Sequence, residues 1–117
     1  MDKRVQAVIV FLNSSYHEEL SVEDIARAVN LSSSHLTHLF KTEVGVPPLQ
    51  FLKSLRMQKA RELLETTFLN VKQVMNRVGV KDKCHFARDF KRVYGLTPGQ
   101  YMRTVVPDLR KAKSASE

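Results

Sequence analysis

The feature that most constrains this chain is that part of it is written twice. Ile25, Val29 and Leu31 recur as Val74, Val78 and Val80, each 49 residues later. From there the match continues at a spacing of 50: His35, Leu36, Phe40, Lys41, Gly45, Pro48, Gln50 and Phe51 return as His85, Phe86, Phe90, Lys91, Gly95, Pro98, Gln100 and Tyr101. One residue has therefore been inserted inside the second copy. The pair Asn70 and Gln73 likewise repeats the cap-like pair Ser21 and Asp24. A period near fifty that runs through caps, apolar positions and glycines alike marks a duplicated structural unit.

Each copy is helical by pattern. Apolar residues recur at spacings of three and four, and Gly and Pro fall at junctions, so the expected class is all-α: two helix-turn-helix units, homeodomain-like in having three helices each, joined by a long helix. Val5, Val8, Ile9 and Leu12 mark one face of a first helix. The β-branched run Val8 to Val10 also suits a buried strand, but no partner strand follows, and a polar break is expected from Asn13 to Glu19. Ser21 with Asp24 has capping-box spacing ahead of Val22, Ile25, Ala26 and Val29. Ser32 and Ser33 are candidate caps for a second helix with Leu36, Leu39 and Phe40 inward, ending near Gly45. Pro47 and Pro48 open the longest segment, to about Thr66, roughly 28 Å at about 1.5 Å per residue. Its expected stripe is Leu49, Leu52, Ala60 and Leu63, with Arg56 in the middle. The resulting division is 1–47, a linker helix 48–66, 67–103, and a frayed tail 104–117.

Composition narrows the partner. Leu, Val, Ile and Phe supply 35 of the 117 residues, enough to bury a core. Nineteen Lys and Arg against twelve Asp and Glu leave a formal +7, which favours a polyanion such as nucleic acid or an anionic surface. The excess is uneven: residues 20–45 carry a net −1 and residues 71–95 a net +5. With Cys84 as the only cysteine, an intramolecular disulfide and a Cys-rich zinc finger are excluded. The longest apolar stretch is too short to span a bilayer, and a soluble, cytoplasmic chain in a reducing compartment is expected. His35 and His38 lack a third ligand at metal spacing, and none of the common nucleophile, zinc-protease, P-loop or dinucleotide motifs is present. Neither an enzyme, a cofactor nor a metal is expected.

A helix, a short turn and a second helix with a non-apolar outer face is the layout of a DNA reader, although the same layout serves helical interaction modules and nonspecific nucleoid proteins. The run GVKDKCHFARDFKRVYGLTPGQYMR is more specific. It resembles the C-terminal signature of the AraC/XylS family of bacterial transcription regulators, with Gly79, Phe86, Phe90, Lys91, Gly95, Thr97, Pro98 and Tyr101 at the recurring positions. The run DIARAVNLSSSHLTHLFKTEVGVPPLQFL is similar to the family's first reader, and the resemblance extends from about Val5 to Arg103. Val80 departs from it where an aromatic is common, and Asp82 to Cys84 lie where the family varies. The resemblance implies two recognition helices in successive major grooves of promoter DNA, regulation by meeting or blocking RNA polymerase, and an N-terminal effector or dimerisation domain outside this chain. Successive turns of the groove lie about 34 Å apart.

With Leu36, Leu39 and Phe40 inward, Ser34, Thr37, His38 and Lys41 lie outward on the first recognition helix. The family correspondence puts Ser34, Thr37 and His38 at base edges. With Phe86, Phe90 and Val93 inward on the second, Lys83, Cys84, Ala87 and Arg88 turn outward, and Lys91 and Arg92 join Lys83 as phosphate contacts. Arg88 has the chemistry to pair with guanine O6 and N7, whereas Cys84 is either a small contact near a thymine methyl or a surface thiol. Solvated polar residues on an exposed face would look the same. Arg56 reads as a packed arginine rather than a phosphate clamp, and Arg103 as a surface group near phosphate or solvent.

Overall fold

Ser21 and Asp24 open their helix as the spacing requires. The Ser21 hydroxyl accepts from the Asp24 amide at 3.1 Å and the Asp24 carboxylate accepts from the Ser21 amide at 2.9 Å, satisfying two otherwise orphaned donors. The structure is a computed structural model and describes residues 1–105. Within them lie seven helices and no strand: α1 (Lys3–Ser15), α2 (Val22–Ala28), α3 (Ser33–Val44), α4 (Pro48–Thr66), α5 (Val71–Arg77), α6 (Lys83–Tyr94) and α7 (Pro98–Thr104). They divide into two units that part between Leu55 and Arg56, inside α4.

In the first unit, Val5, Val8 and Leu12 of α1 meet Ile25 and Ala26 of α2, Leu36 and Phe40 of α3, and Leu52 and Leu55 of α4 in one apolar core. Burial of Val8 on the α1 face decides the β-branched run in favour of helix, while Val10 is left 68% exposed on the other side. The expected break at Asn13 begins later, because Asn13 and Ser14 donate back to the carbonyls of Ile9 and Val10 at 2.9 and 3.2 Å and carry the helix to Ser15. Asp2 caps the start of α1, accepting from the Arg4 amide at 2.7 Å. Bonding from the Arg4 side chain and amide holds its carboxyl down at about 2. The Asp2 amide also donates to the Glu43 carboxylate at 3.0 Å, tying the start of α1 to α3. Ser32, not Ser33, caps α3, accepting from the His35 amide at 3.1 Å.

The second unit rebuilds this plan. Met57, Ala60 and Leu64 of α4 are buried as Val5, Val8 and Leu12 are, each 52 residues further on. Val74, Val78, Phe86 and Phe90 complete the buried set. Asn70 and Gln73 form a reciprocal capping box with both bonds at 2.8 Å. Asp82 caps α6 by accepting from the His85 amide at 2.9 Å. A ring pair is copied as well: Phe40 meets Phe51 edge-on at 5.5 Å, and Phe90 meets Tyr101 edge-on at 5.6 Å. The second copy adds polar chemistry at its margin. The Tyr101 hydroxyl donates to Glu65, and the Arg61 guanidinium lies 4.9 Å from the centroid of the Tyr94 ring. Burial, then the Glu65 bond, push the Tyr101 phenol above its usual range.

The inserted residue can be placed. Asn30 and Gly79, 49 residues apart, are both left-handed, with φ of 57° and 82°, so the turns match there and the extra residue falls between Val80 and Asp82. Asparagine tolerates that conformation better than other residues with a side chain. Farther along, Gly45 and Gly95 end α3 and α6 in the same region, with φ of 97° and 81°. Nothing within 4 Å would meet a Cβ at Gly95. The expected effect of Gly95→Ala is therefore backbone strain alone, about 1–2 kcal/mol, checked as a lower urea midpoint with unchanged slope.

Two expectations fail. The α4 stripe is not Leu49, Leu52, Ala60 and Leu63: Leu49 is 44% exposed and Leu63 part-buried, whereas Leu55, Met57 and Leu64 are buried. The helix supplies Leu52 and Leu55 to the first unit and Met57, Ala60 and Leu64 to the second, so no single 3.6-residue stripe runs its length. Val93, expected inward, is 53% exposed. Tyr94 takes the inward place, its ring 4.8 Å from that of Phe90. Of the expected tail, Thr104 instead closes α7, and 106–117 lie outside the described residues.

Candidate nucleic-acid interface

Two helices of twelve residues, α3 and α6, carry all ten residues expected to meet DNA. Each is fixed in rotation by two buried side chains four apart, Leu36 and Phe40 in one and Phe86 and Phe90 in the other, none more than 1% exposed. Each starts from a side-chain cap and stops at a left-handed glycine. The outward positions follow from that rotation.

On α3, Ser34, His38 and Lys41 are exposed and Thr37 is part-buried. The four occupy positions i, i+3, i+4 and i+7, and with Ser33 they line one shallow open depression. Sequence reasoning makes Ser33 a cap candidate and misses its place on this face. The signal for it is spacing, since it stands one helical turn before Thr37.

On α6, Lys83, Cys84, Arg88, Lys91 and Arg92 are exposed and Ala87 is part-buried. Cys84 is a free thiol. Cys84, Ala87, Arg88 and Lys91 occupy the positions that Ser34, Thr37, His38 and Lys41 hold on α3, each 50 residues later. The expected residues thus come together as two matching quartets, with Lys83 and Arg92 flanking the second.

The two faces differ in charge. Around α6, the side chains of Lys72, Arg77, Lys81, Lys83, Arg88, Lys91 and Arg92 are all exposed. Arg77 also lines a second shallow depression with Leu69, Gln73 and Asn76. The nearest acid on the helix, Asp82, is occupied as its cap, and the His85 amide bond holds its carboxyl below the usual range. In the first unit the smaller positive charge is partly answered locally, with Arg27 3.8 Å from Asp24. Arg56 is half-buried, and burial lowers its guanidinium from the usual range, as expected of a packed arginine. Arg103 is exposed in the last turn of α7. No cluster of three or more His, Cys, Asp or Glu suited to a metal, and no helix long and apolar enough to cross a membrane, occurs among the described residues.

Residues 25–104 match the model of a family described as a helix-turn-helix domain. The chain is 32% identical over 101 residues to the lactose operon transcription activator of Staphylococcus xylosus, covering 86% of this chain and 36% of that protein. Among solved structures it resembles an AraC-type DNA-binding-domain transcriptional regulator from Chromobacterium violaceum, with a TM-score of 0.80, 27% identity, and coverage of 86% of this chain and 90% of that one. It also resembles the DNA-binding domain of AdpA, a global transcriptional factor solved in complex with a target DNA. There the TM-score is 0.82 and the identity 28%, covering 86% of this chain and 91% of that one. The chain spans about a third of the length of the curated relatives it matches.

Proposed function

Because the chain belongs to the AraC/XylS family of helix-turn-helix regulators, we propose that it is a bipartite reader of double-stranded promoter DNA, with α3 and α6 in successive major grooves. The observation that carries this is the pair of matching outward quartets, each held by the same caps and the same two buried positions. A helix of this kind fits a groove about 12 Å wide. Ser34, Thr37 and His38 meet base edges in the first half-site, where hydroxyl and imidazole groups serve as donor or acceptor. Arg88 meets guanine in the second. Lys41, Lys83, Lys91 and Arg92 sit on phosphates, which supply position and affinity rather than sequence. Binding takes place in the cytoplasm on nucleoid DNA. The bound domain activates or blocks RNA polymerase, under a ligand-binding or dimerisation domain elsewhere in the full protein. The activity is regulatory and needs no cofactor.

Selection from a random duplex library of about 30 base pairs tests this reading. The expected pool contains two submotifs about 10–10.5 base pairs apart, the spacing of one helical turn. Arg88→Ala is expected to relax one position of one submotif by about 1–3 kcal/mol and leave the other submotif intact. Uniform recovery of all sequences would instead make the domain a charge-driven coat of DNA, and failure to retain DNA at all would make it a helical interaction module.

A further inference from the structure

Helices α3 and α6 are built to one plan. They have the same length, a cap accepting from the third helical amide, and a left-handed glycine stop. Their inward residues fall at the same two places, and Phe40 and Phe90 each meet the ring 11 residues further on at nearly the same distance, 5.5 and 5.6 Å. The outward atoms do not match. Ser34, Thr37 and His38 present two hydroxyls and an imidazole where Cys84, Ala87 and Arg88 present a thiol, a methyl and a guanidinium. Lys41 and Lys91 are the same residue in both.

We propose that α3 and α6 are interchangeable reading frames, in which the three outward residues that differ set the base preference of each half-site. This rests on the bipartite reading above. In the second frame, hydrogen-bonding power is concentrated in Arg88, since alanine has none and a thiol is a weak donor. Arg88 accordingly selects guanine, while the Ala87 methyl and the Cys84 side chain favour the C5-methyl of an adjoining thymine. The first frame spreads its donors and acceptors over three residues and selects a different sequence. The operator of this protein is thus two unlike half-sites, and the difference resides in Ser34, Thr37 and His38 against Cys84, Ala87 and Arg88.

The test rewrites one frame as the other. The variant Ser34→Cys, Thr37→Ala, His38→Arg gives α3 the outward quartet of α6, and is carried through the same duplex selection as the unaltered chain, under reducing conditions. The expected outcome is that the first submotif becomes a copy of the second, with guanine enriched about fivefold or more at the corresponding position, the lower end for a bidentate contact. The reverse variant, Cys84→Ser, Ala87→Thr, Arg88→His, is expected to convert the second submotif into the first. Thermal unfolding of both variants identifies any that has lost its fold, and the other then decides. If a folded variant keeps the original submotif, or loses it without acquiring the other, the interchangeable frames are overturned while bipartite reading stands. If the unaltered chain yields no pair of submotifs, bipartite reading falls and the frames fall with it.

Discussion

Phe90→Ala is expected to destabilise the protein by about 3–5 kcal/mol, the range for truncating a fully buried phenylalanine. Phe90 is 0% exposed, and its ring meets those of Phe86, Tyr94 and Tyr101 at 6.1, 4.8 and 5.6 Å. Removing it opens a cavity where three aromatic partners converge. Small domains are stable by only about 5–15 kcal/mol in total, so this one change removes a large share. Urea unfolding followed by far-UV circular dichroism checks it, and a destabilisation below about 1 kcal/mol would contradict the packing described. DNA binding should fail in parallel, because Phe90 also fixes the rotation that turns Arg88 and Lys91 outward.

The second large effect is on salt dependence. Lys83, Lys91 and Arg92 are exposed on or beside the α6 face, in the region with a net +5. Replacing all three by glutamine is expected to flatten the slope of log affinity against log salt by about 0.9 for each phosphate left without its cation, or about 2.7 if all three side chains sit on phosphate. Lys41→Gln, on the less basic first unit, is expected to change the slope by no more than about 0.9. Lys91 and Arg92 also stand in the last turn of α6, where positive charge favours the helix end. The helicity of the variant is therefore measured alongside. An unchanged slope in a folded triple variant would show that α6 does not anchor the phosphate backbone.

Much of this architecture is legible in the amino-acid order, for a physical reason. The duplication copied the residues with the narrowest structural options: caps at Ser21 and Asn70, left-handed stops at Gly45 and Gly95, and buried positions at Phe40 and Phe90. Such residues mean the same thing in both copies, so each copy checks the other. The outward quartets follow, because fixing two inward residues on a helix fixes the rest. What escapes is whatever depends on a choice between adjacent positions. Val93 and Tyr94 both continue the α6 stripe acceptably, and only the ring contact with Phe90 selects Tyr94. In α4 the pattern suggests one stripe, while the helix serves two cores in turn. The copy of Val5, Val8 and Leu12 as Met57, Ala60 and Leu64 is hidden in the sequence, since its spacing of 52 differs from the 49 and 50 of the other helices. The DNA contacts themselves are not legible from residue type, because a solvated lysine and a phosphate-bound one are the same residue on the same face.

The double employment of α4 bears on how the protein is dissected into fragments. Cutting at the loops looks natural, but a piece ending at Pro47 leaves Leu36 and Phe40 without Leu52 and Leu55. A piece starting at Thr67 lacks Met57, Ala60 and Leu64, all buried. Each half is whole only if it carries its own copy of the shared helix, so the appropriate fragments overlap, 1–66 and 48–105. The nineteen residues of α4 are then paid for twice, and a library of truncations that assigns them to one side or the other will score both halves as unable to fold.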